Sequence, residues 1–276
     1  MRVLKRATGE NVPPDALVAP APISWRGPDG AEIYGLIYRP AARDATGLPP
    51  AIVHIHGGPT SQSVAEYDGT AQFFATRGYA VLQVNYRGST GYGRAYMHAG
   101  RGNWGIHDVA DAVSGARHLV EASIADAERL VIMGGSAGGF TVLQTLIDQP
   151  GVFRAGICLY GVSNQFTLAA DTHKFEERYL DTLLGPLPEA ASIYRARSPI
   201  FHAHKLTTPL AVFQGEDDTS VPRAQSDTIV ASLRQRGVPH VYHVFAGEGH
   251  GWRKRETIAA YYRAVEDFLR QYVLFA

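Results

Sequence analysis

Short apolar runs, many of them rich in β-branched residues, recur along the chain between glycines, prolines and polar residues. Continuous apolar runs of this length are typical of strands that are buried on both faces of a parallel sheet. They predict strands over residues 32–39, 51–55, 79–84, 129–133, 155–160, 210–213 and 240–245.

Amphipathic stretches lie between several of these runs. In one of them, Val109, Val113, Ala116 and Val120 recur at the spacing of a single helix face. Stretches of this kind predict helices over residues 108–121, 137–148, 223–236 and 255–272. Strands that alternate with helices predict an α/β fold, in which a mostly parallel, twisted sheet carries helices on both faces.

Two segments interrupt this alternation. Residues 1–30 are rich in proline, which fixes φ and removes a backbone donor, so we expect an irregular lead-in or linker there. Residues 31–276 then form a single domain. Within it, residues 161–207 contain a helical pattern at 171–180 followed by several prolines, and we interpret them as an insertion over the carboxyl edge of the sheet.

Composition narrows the possible function classes. Lys and Arg total 26 and Asp and Glu total 26, and this balance gives no electrostatic case for nucleic acid or an anionic membrane as a partner. The single cysteine, Cys158, excludes an intramolecular disulfide and a zinc–cysteine cluster. The sequence shows no secretory signal and no apolar run of about 20 residues, which predicts a soluble, cytoplasmic protein.

A serine stands between glycines where a predicted strand gives way to a predicted helix. Gly134, Ser136 and Gly138 form the G-x-S-x-G pattern of a nucleophile elbow, in which serine occupies the apex of a sharp turn. Small residues on either side prevent clashes, and the helix N-terminus places backbone N–H groups beside the hydroxyl. The pattern predicts that Ser136 is a nucleophile. The alternative is an anion-binding turn without a catalytic role.

A serine nucleophile needs a base, usually a histidine that a carboxylate orients, and in this type of fold the chain order is serine, acid, histidine. One predicted strand runs into three acids, Glu216, Asp217 and Asp218, and the last strand runs into the glycine-rich loop that carries His250. The pattern favours His250 as the base of Ser136. It favours Asp218 only slightly over the two neighbouring acids.

A glycine-rich loop, His56-Gly57-Gly58-Pro59, directly follows the strand predicted at residues 51–55. A loop of this type donates one backbone N–H to a developing oxyanion, and the residue after the nucleophile donates the other. We therefore expect the N–H groups of Gly58 and Ala137 to form an oxyanion hole. The alternative is a tight turn built from glycines. Chemistry of this kind requires no metal and no cofactor.

Further segments accompany these motifs between about residue 30 and residue 270. The whole set comprises HGGP at 56–59, NYRGSTGYG at 85–93, Trp104-Gly105 with Asp108, GGSAGG at 134–139, Ser198-Pro199, G-x-x-D-x-x-V-P at 215–222 and GEGH at 247–250. In combination they resemble the catalytic domain of the prolyl oligopeptidase family of serine peptidases, within the α/β-hydrolase superfamily. The acylaminoacyl peptidase and dipeptidyl aminopeptidase branch is the most similar.

The resemblance implies an α/β-hydrolase fold and places the catalytic acid at Asp218. It also implies that Ser136 attacks a peptide, acyl-peptide or ester carbonyl and forms an acyl-enzyme. Members of the family usually carry an N-terminal β-propeller, for which this chain leaves no room, so a propeller would have to lie outside it. Many acylaminoacyl peptidases also have an arginine where this chain has Ser220.

We therefore expect a serine hydrolase that cleaves N-terminal aminoacyl, dipeptidyl or acyl-aminoacyl bonds of peptides. Its apolar substrate pocket is expected near Tyr160, Val162, Phe166 and Val221. One alternative is a carboxylesterase that uses the same triad on small esters. The other is an inactive catalytic-domain fragment or binding module. The sequence allows a homo-oligomer without specifying one.

Overall fold

The computed structural model describes residues 17–40, 47–171 and 178–275 of the chain. The strands are β1 (Ala21–Arg26), β2 (Glu32–Tyr38), β3 (Ala51–Ile55), β4 (Ala80–Asn85), β5 (Leu130–Gly135), β6 (Ala155–Leu159), β7 (Leu210–Gly215) and β8 (His240–Phe245). The α-helices are α1 (Gly69–Ala75), α2 (Arg94–His98), α3 (His107–Glu121), α4 (Ala137–Asp148), α5 (Gln165–Asp171), α6 (Tyr179–Leu184), α7 (Ala191–Ala196), α8 (Ala224–Gln235) and α9 (Arg255–Leu269). Short 3₁₀ helices lie at Ala127–Arg129 and Pro199–Lys205, and a π-helical turn at Arg270–Leu274.

The strands lie in one eight-stranded sheet, in the order β1-β2-β4-β3-β5-β6-β7-β8. β2 runs antiparallel to both of its neighbours, β1 and β4. The remaining neighbours, from β4 across to β8, are parallel. A mostly parallel sheet with helices between its strands confirms the predicted α/β-hydrolase fold class.

β1 lies inside the proline-rich segment 1–30, so the expectation of an irregular lead-in is wrong for Ala21–Arg26. The strand accommodates Pro22 because β1 is at the edge of the sheet, where a residue without an N–H can face away from the neighbouring strand. Its Trp25 pairs with Ile33 of β2 and is 5% exposed, which ties β1 to the core. Residues 1–16 lie outside the described residues.

The four helices predicted between strands are present as α3, α4, α8 and α9. α1 was not predicted, because its seven residues are too few to show a periodic pattern. Its start is set by Asp68, whose carboxylate accepts hydrogen bonds from the backbone N–H groups of Thr70 and Ala71. The helix predicted over residues 171–180 falls largely on residues 172–177, which are outside the described part of the chain.

Apolar side chains pack against both faces of the sheet. α3, α4 and α8 cover one face, where Val53, Leu82 and Leu143 are buried. α1 and α9 cover the other face, where Phe74 and Phe268 are buried. Burial of each such side chain contributes about 1.5–3 kcal/mol. The strands between these two layers are buried on both sides, which explains why they appear in the sequence as continuous apolar runs.

Residues 161–207 follow β6 and carry α5, α6 and α7. Their buried side chains, including Leu180 and Tyr194, form a separate apolar cluster with Phe140 of α4. Because Phe140 lies one turn after the start of α4, the segment packs next to the strand-to-helix turn at Ser136.

Four strands end at loops or turns that carry the candidate site residues. β3 runs into the loop of His56, β5 into Ser136, β7 into the loop of Asp218, and β8 into the loop of His250. These strands are parallel, so their carboxyl ends meet at the same edge, which is where α/β sheets form their ligand sites.

Candidate active site

Ser136 occupies the sharp turn between β5 and α4. Its φ of 57° and ψ of −123° lie in a region that non-glycine residues rarely adopt, and its N–H donates to the carbonyl of Leu159 over 3.0 Å. A Cβ at Gly138 would lie 2.2 Å from the carbonyl oxygen of Ile55, and one at Gly134 would lie 2.6 Å from the Gly138 carbonyl. Only glycine fits at these two positions, so the flanking glycines permit the turn that exposes the Ser136 hydroxyl.

Asp218 and His250 form a hydrogen-bonded pair, with His250 Nδ1 lying 2.8 Å from Asp218 Oδ2. The Asp218 side chain is fully buried, and its Oδ1 accepts from the N–H groups of Ser220 and Val221. Gln214 Nε2 donates to Oδ2 as well, over 3.2 Å. An ionised carboxylate only accepts hydrogen bonds, so Nδ1 of His250 carries the proton and Nε2 is free to act as a base.

The loops that carry Asp218 and His250 are joined to each other. The N–H of Asp217 donates to the carbonyl of Glu248 over 2.9 Å. The Glu248 side chain is buried and accepts from the N–H groups of Arg253 and Lys254, which closes the His250 loop on itself. Sequence reasoning gave Glu248 no role, because its partners are backbone groups that leave no signal in the sequence.

Gly215, at the end of β7, lies directly against the His250 loop. A Cβ there would lie 2.1 Å from the carbonyl oxygen of Gly249 and 2.5 Å from that of Glu248. We expect Gly215→Ala to displace the His250 loop and to lower kcat/KM by about 100-fold or more, the usual cost of displacing a catalytic group by about 1 Å. The measurement is steady-state hydrolysis of a chromogenic substrate, with circular dichroism to confirm folding.

Gly249→Ala is the matched control, since it adds the same methyl group to the other side of the contact. A Cβ at Gly249 would meet no atom closer than 3.8 Å, that atom being the carbonyl oxygen of Asp217, so we expect activity within a few-fold of the parent. Equal losses in the two variants would contradict the proposed role of the close approach at Gly215.

The segment that follows β4 packs against the loop His56–Pro59 and stabilises it. The Tyr86 hydroxyl donates to the carbonyl of Pro59 over 2.9 Å, and its ring stacks on His56 at a centroid distance of 4.3 Å. His56 Nε2 lies 2.8 Å from Ser89 Oγ, and burial lowers the pKa of His56 to about 4, so this histidine is neutral at pH 7. His56 Nδ1 also lies 2.8 Å from the carbonyl oxygen of Gly57, so both ring nitrogens have partners that hold the loop.

The same segment is anchored to α3. The Arg87 guanidinium lies 2.7 Å from a carboxylate oxygen of Asp111, and both side chains are buried. The NYRGSTGYG run thus supports the glycine loop from β4. In the sequence this run contributed only to the family resemblance, and no role was predicted for Tyr86, Arg87 or Ser89.

An apolar cavity of about 440 Å³ opens beside Ser136. Gly58, Ala137 and His250 line it together with the serine, so both predicted oxyanion donors lie at the same cavity as the nucleophile. Its other lining residues are mostly apolar and come from four segments: Pro59, Trp104, Val162, Leu168, Tyr179, Leu180, Leu183, Thr219, Ser220 and Val221.

Two of the four residues predicted for an apolar pocket, Val162 and Val221, line this apolar cavity. Phe166 does not line it. Its ring packs instead against Tyr194 at a centroid distance of 5.4 Å and against Phe201 at 6.2 Å, because the start of α5 directs it into the core of the 161–207 segment. Tyr160 is also absent from the lining. α6, which extends beyond the helix predicted over residues 171–180, supplies three of the lining side chains, those of Tyr179, Leu180 and Leu183.

Tyr160 lines a second space, which also borders Ser136. Its φ is 38°, and its ring contacts His250 at a centroid distance of 4.5 Å and Trp252 at 5.4 Å. This space, which we name the polar cavity, has a volume of about 560 Å³. Its lining residues are His54, Ile55, His56, Gly57, Gly58, Gln62, Ser63, Val64, Glu66, Asp68, Gln83, Gly135, Ser136, Tyr160 and His250.

Asp108 supports the wall of the apolar cavity from the core. Its carboxylate accepts from the N–H of Gly105 and from the hydroxyl of Thr141, each over 2.6 Å. Burial raises the pKa of Asp108 to about 6. These bonds fix the loop of Trp104, whose ring packs on Phe140 at a centroid distance of 4.6 Å.

Within the described residues, no group of three or more His, Cys, Asp or Glu side chains is arranged to hold a metal ion. None of the helices in that part of the chain is long and apolar enough to cross a membrane.

Known proteins share the sequence pattern and the fold of this chain. The sequence model of the prolyl oligopeptidase family matches residues 65–274 of the chain. The chain belongs to the prolyl oligopeptidase family. Among curated family members, the dipeptidyl aminopeptidase BIII of Pseudoxanthomonas mexicana is 34% identical over 229 residues, which are 80% of this chain and 33% of that protein.

Two further relatives extend the comparison. The acylamino-acid-releasing enzyme of Arabidopsis thaliana is 32% identical over 215 residues, which are 75% of this chain and 28% of that protein. The structure of a puromycin-hydrolyzing peptidase from Mycobacterium tuberculosis superposes with a TM-score of 0.94 at 39% identity, covering 99% of this chain and 42% of that one. The chain thus spans well under half the length of these prolyl oligopeptidase family members.

Proposed function

We propose that this member of the prolyl oligopeptidase family is a serine peptidase whose catalytic triad is Ser136, His250 and Asp218. The observation that carries the proposal is the meeting of Ser136 and His250 at the same cavities, with Asp218 bonded to the far side of the imidazole. A strained serine after a strand, next to a histidine that a buried carboxylate orients, is the arrangement that activates a hydroxyl for acyl transfer.

In the proposed reaction, His250 Nε2 takes the proton of Ser136 as Oγ attacks the substrate carbonyl. The N–H groups of Gly58 and Ala137 hold the resulting oxyanion, and Asp218 stabilises the imidazolium. When the tetrahedral intermediate collapses, His250 gives its proton to the leaving amine and an acyl-enzyme remains. Water, activated by His250, then releases the acid and regenerates Ser136.

The apolar cavity is proposed to bind the side chain of the residue that precedes the scissile bond. Val162, Leu180 and Val221 lie on its wall, and no charged side chain faces it among the described residues. An apolar or aromatic side chain is therefore favoured there. Because the relatives include a dipeptidyl aminopeptidase and an acylamino-acid-releasing enzyme, we propose aminoacyl, dipeptidyl or acyl-aminoacyl peptides as the substrate class.

A substrate profile tests this function. Aminoacyl, dipeptidyl and N-acetyl-aminoacyl anilides that carry Phe or Leu before the scissile bond are compared with those that carry Asp or Lys. Short-chain nitrophenyl esters are measured alongside, and labelling by a fluorophosphonate reports the state of Ser136. We expect amide hydrolysis with at least about tenfold preference for the apolar side chains. Turnover of esters alone would support a carboxylesterase instead.

A further inference from the structure

The polar cavity has a chemical character that the proposed reaction does not use. Two carboxylates, those of Glu66 and Asp68, belong to its lining. None of its lining residues, all of them in the described part of the chain, is Lys or Arg. His54 adds no positive charge at pH 7, because burial lowers its pKa. The cavity is therefore negatively charged next to the nucleophile.

The acceptors of this cavity are only partly used. Asp68 Oδ1 accepts from the start of α1, and Oδ2 accepts from Gln83 Nε2 over 2.6 Å. Gln83 is 2% exposed, and its Oε1 has no hydrogen-bond partner. The Glu66 side chain is exposed to solvent. A buried acceptor without a donor, next to two carboxylates, fits a ligand that is cationic and rich in N–H groups.

The position of the polar cavity identifies the part of the substrate that reaches it. The carbonyl carbon that Ser136 attacks has the acyl residue on one side and the leaving group on the other. The acyl side chain is proposed to occupy the apolar cavity. The polar cavity, which Ser136 and His250 also line, is then the space available to the leaving group. His250 lines both cavities and can therefore protonate a leaving amine located there.

We propose that the polar cavity binds the residue immediately after the scissile bond and selects Lys or Arg at that position. The ammonium or guanidinium group is held by Glu66 and Asp68, with Gln83 Oε1 as a further acceptor. The inference rests on the proposed function, because it assigns a subsite to the same acyl-transfer reaction. We expect the preference for Lys or Arg over a neutral side chain to be about tenfold, which is the scale expected for two partly solvated ion pairs.

Partitioning of the acyl-enzyme measures this subsite directly. The enzyme is acylated with the nitrophenyl ester of N-acetyl-phenylalanine in the presence of lysinamide, norleucinamide or glutamic acid α-amide, and the ratio of aminolysis to hydrolysis is determined. Norleucinamide matches the aliphatic chain of lysinamide without the charge. We expect lysinamide to exceed norleucinamide about tenfold and the glutamic acid amide to be poorest. The preference should shrink in 1 M salt, where the Debye length falls to about 3 Å.

Three variants locate the effect. Glu66→Gln should lower the preference about threefold, and Glu66→Gln with Asp68→Asn should bring the two amides close to equal. Asn caps a helix as well as Asp, so the start of α1 is retained. Glu128→Gln is the matched control. Glu128 is an exposed carboxylate before β5, at the end of that strand opposite Ser136. This variant should leave both the preference for lysinamide and the ester hydrolysis unchanged.

The outcomes separate the two proposals. Equal partitioning of lysinamide and norleucinamide, or a preference that survives in the double variant, overturns the subsite while the acyl-enzyme chemistry stands. Failure of the ester to acylate Ser136, detected by mass spectrometry of the intact protein, overturns the proposed function and the subsite with it.

Discussion

Replacement of Ser136 by alanine is expected to lower kcat/KM by about 10⁴-fold or more without unfolding the protein. Removal of the nucleophile of a triad leaves only the catalysis that an oxyanion hole and substrate binding supply. Alanine keeps a Cβ at the strained turn, where φ is 57°, so the backbone cost that the parent already bears is unchanged. The rate is measured on the best anilide of the substrate profile.

The control for this variant is its capacity to bind. Ser136→Ala should bind a non-hydrolysed peptide with the parent's affinity, because the apolar cavity is formed by other side chains such as Val162 and Val221. It should also lose labelling by a fluorophosphonate. Activity within about tenfold of the parent would show that another residue is the nucleophile.

Most of the fold could be predicted from the sequence for a physical reason. Strands such as β3 and β6 have apolar layers on both faces, so nearly all of their positions are apolar and the run is visible without an alignment. β1 was missed because Pro22 and the prolines around the strand argue against regular structure, and only an edge position permits a strand there. α1 was missed because a short helix is fixed by its Asp68 cap rather than by a periodic pattern.

The candidate site was predictable where one backbone requirement determines the residue type. Position 138 must be glycine, because a Cβ there would lie 2.2 Å from the carbonyl oxygen of Ile55 in β3. The positions of Ser136 and His250 after strands are those expected for an α/β-hydrolase sheet. The direction of a side chain is different, because it depends on contacts distant in sequence. The φ of 38° at Tyr160 turns its ring towards His250, and nothing near Tyr160 in the sequence indicates that turn.

The two cavities that Ser136 lines are proposed to select substrate side chains by different physical effects. Binding of an apolar side chain in the apolar cavity is favoured by the release of water from apolar surfaces. Salt does not weaken this contribution. The polar cavity acts through charge, which salt screens. The residues before and after the scissile bond are therefore expected to contribute separately to selectivity, and only the second contribution should depend on ionic strength.

Replacement of Asp218 by asparagine is expected to lower kcat by about 10⁴-fold while the fold is retained. The asparagine carbonyl can still accept from the N–H groups of Ser220 and Val221, as Oδ1 does in the parent. Its NH₂ group replaces Oδ2 and faces Nδ1 of His250, which must then accept rather than donate. The proton moves to Nε2 of His250, and that nitrogen can no longer take the proton of Ser136.

Two neighbouring acids provide the controls for this change. Asp217 and Glu216 are exposed and precede Asp218 directly, and their hydrogen bonds to the His250 loop use backbone N–H groups only. Asp217→Asn and Glu216→Gln should therefore retain activity within about threefold, because surface charges contribute little. A loss of activity in Asp217→Asn as large as that in Asp218→Asn would show that Asp218 is not the specific orienting carboxylate. Retention of activity in Asp218→Asn would remove the imidazole–carboxylate pair from the mechanism.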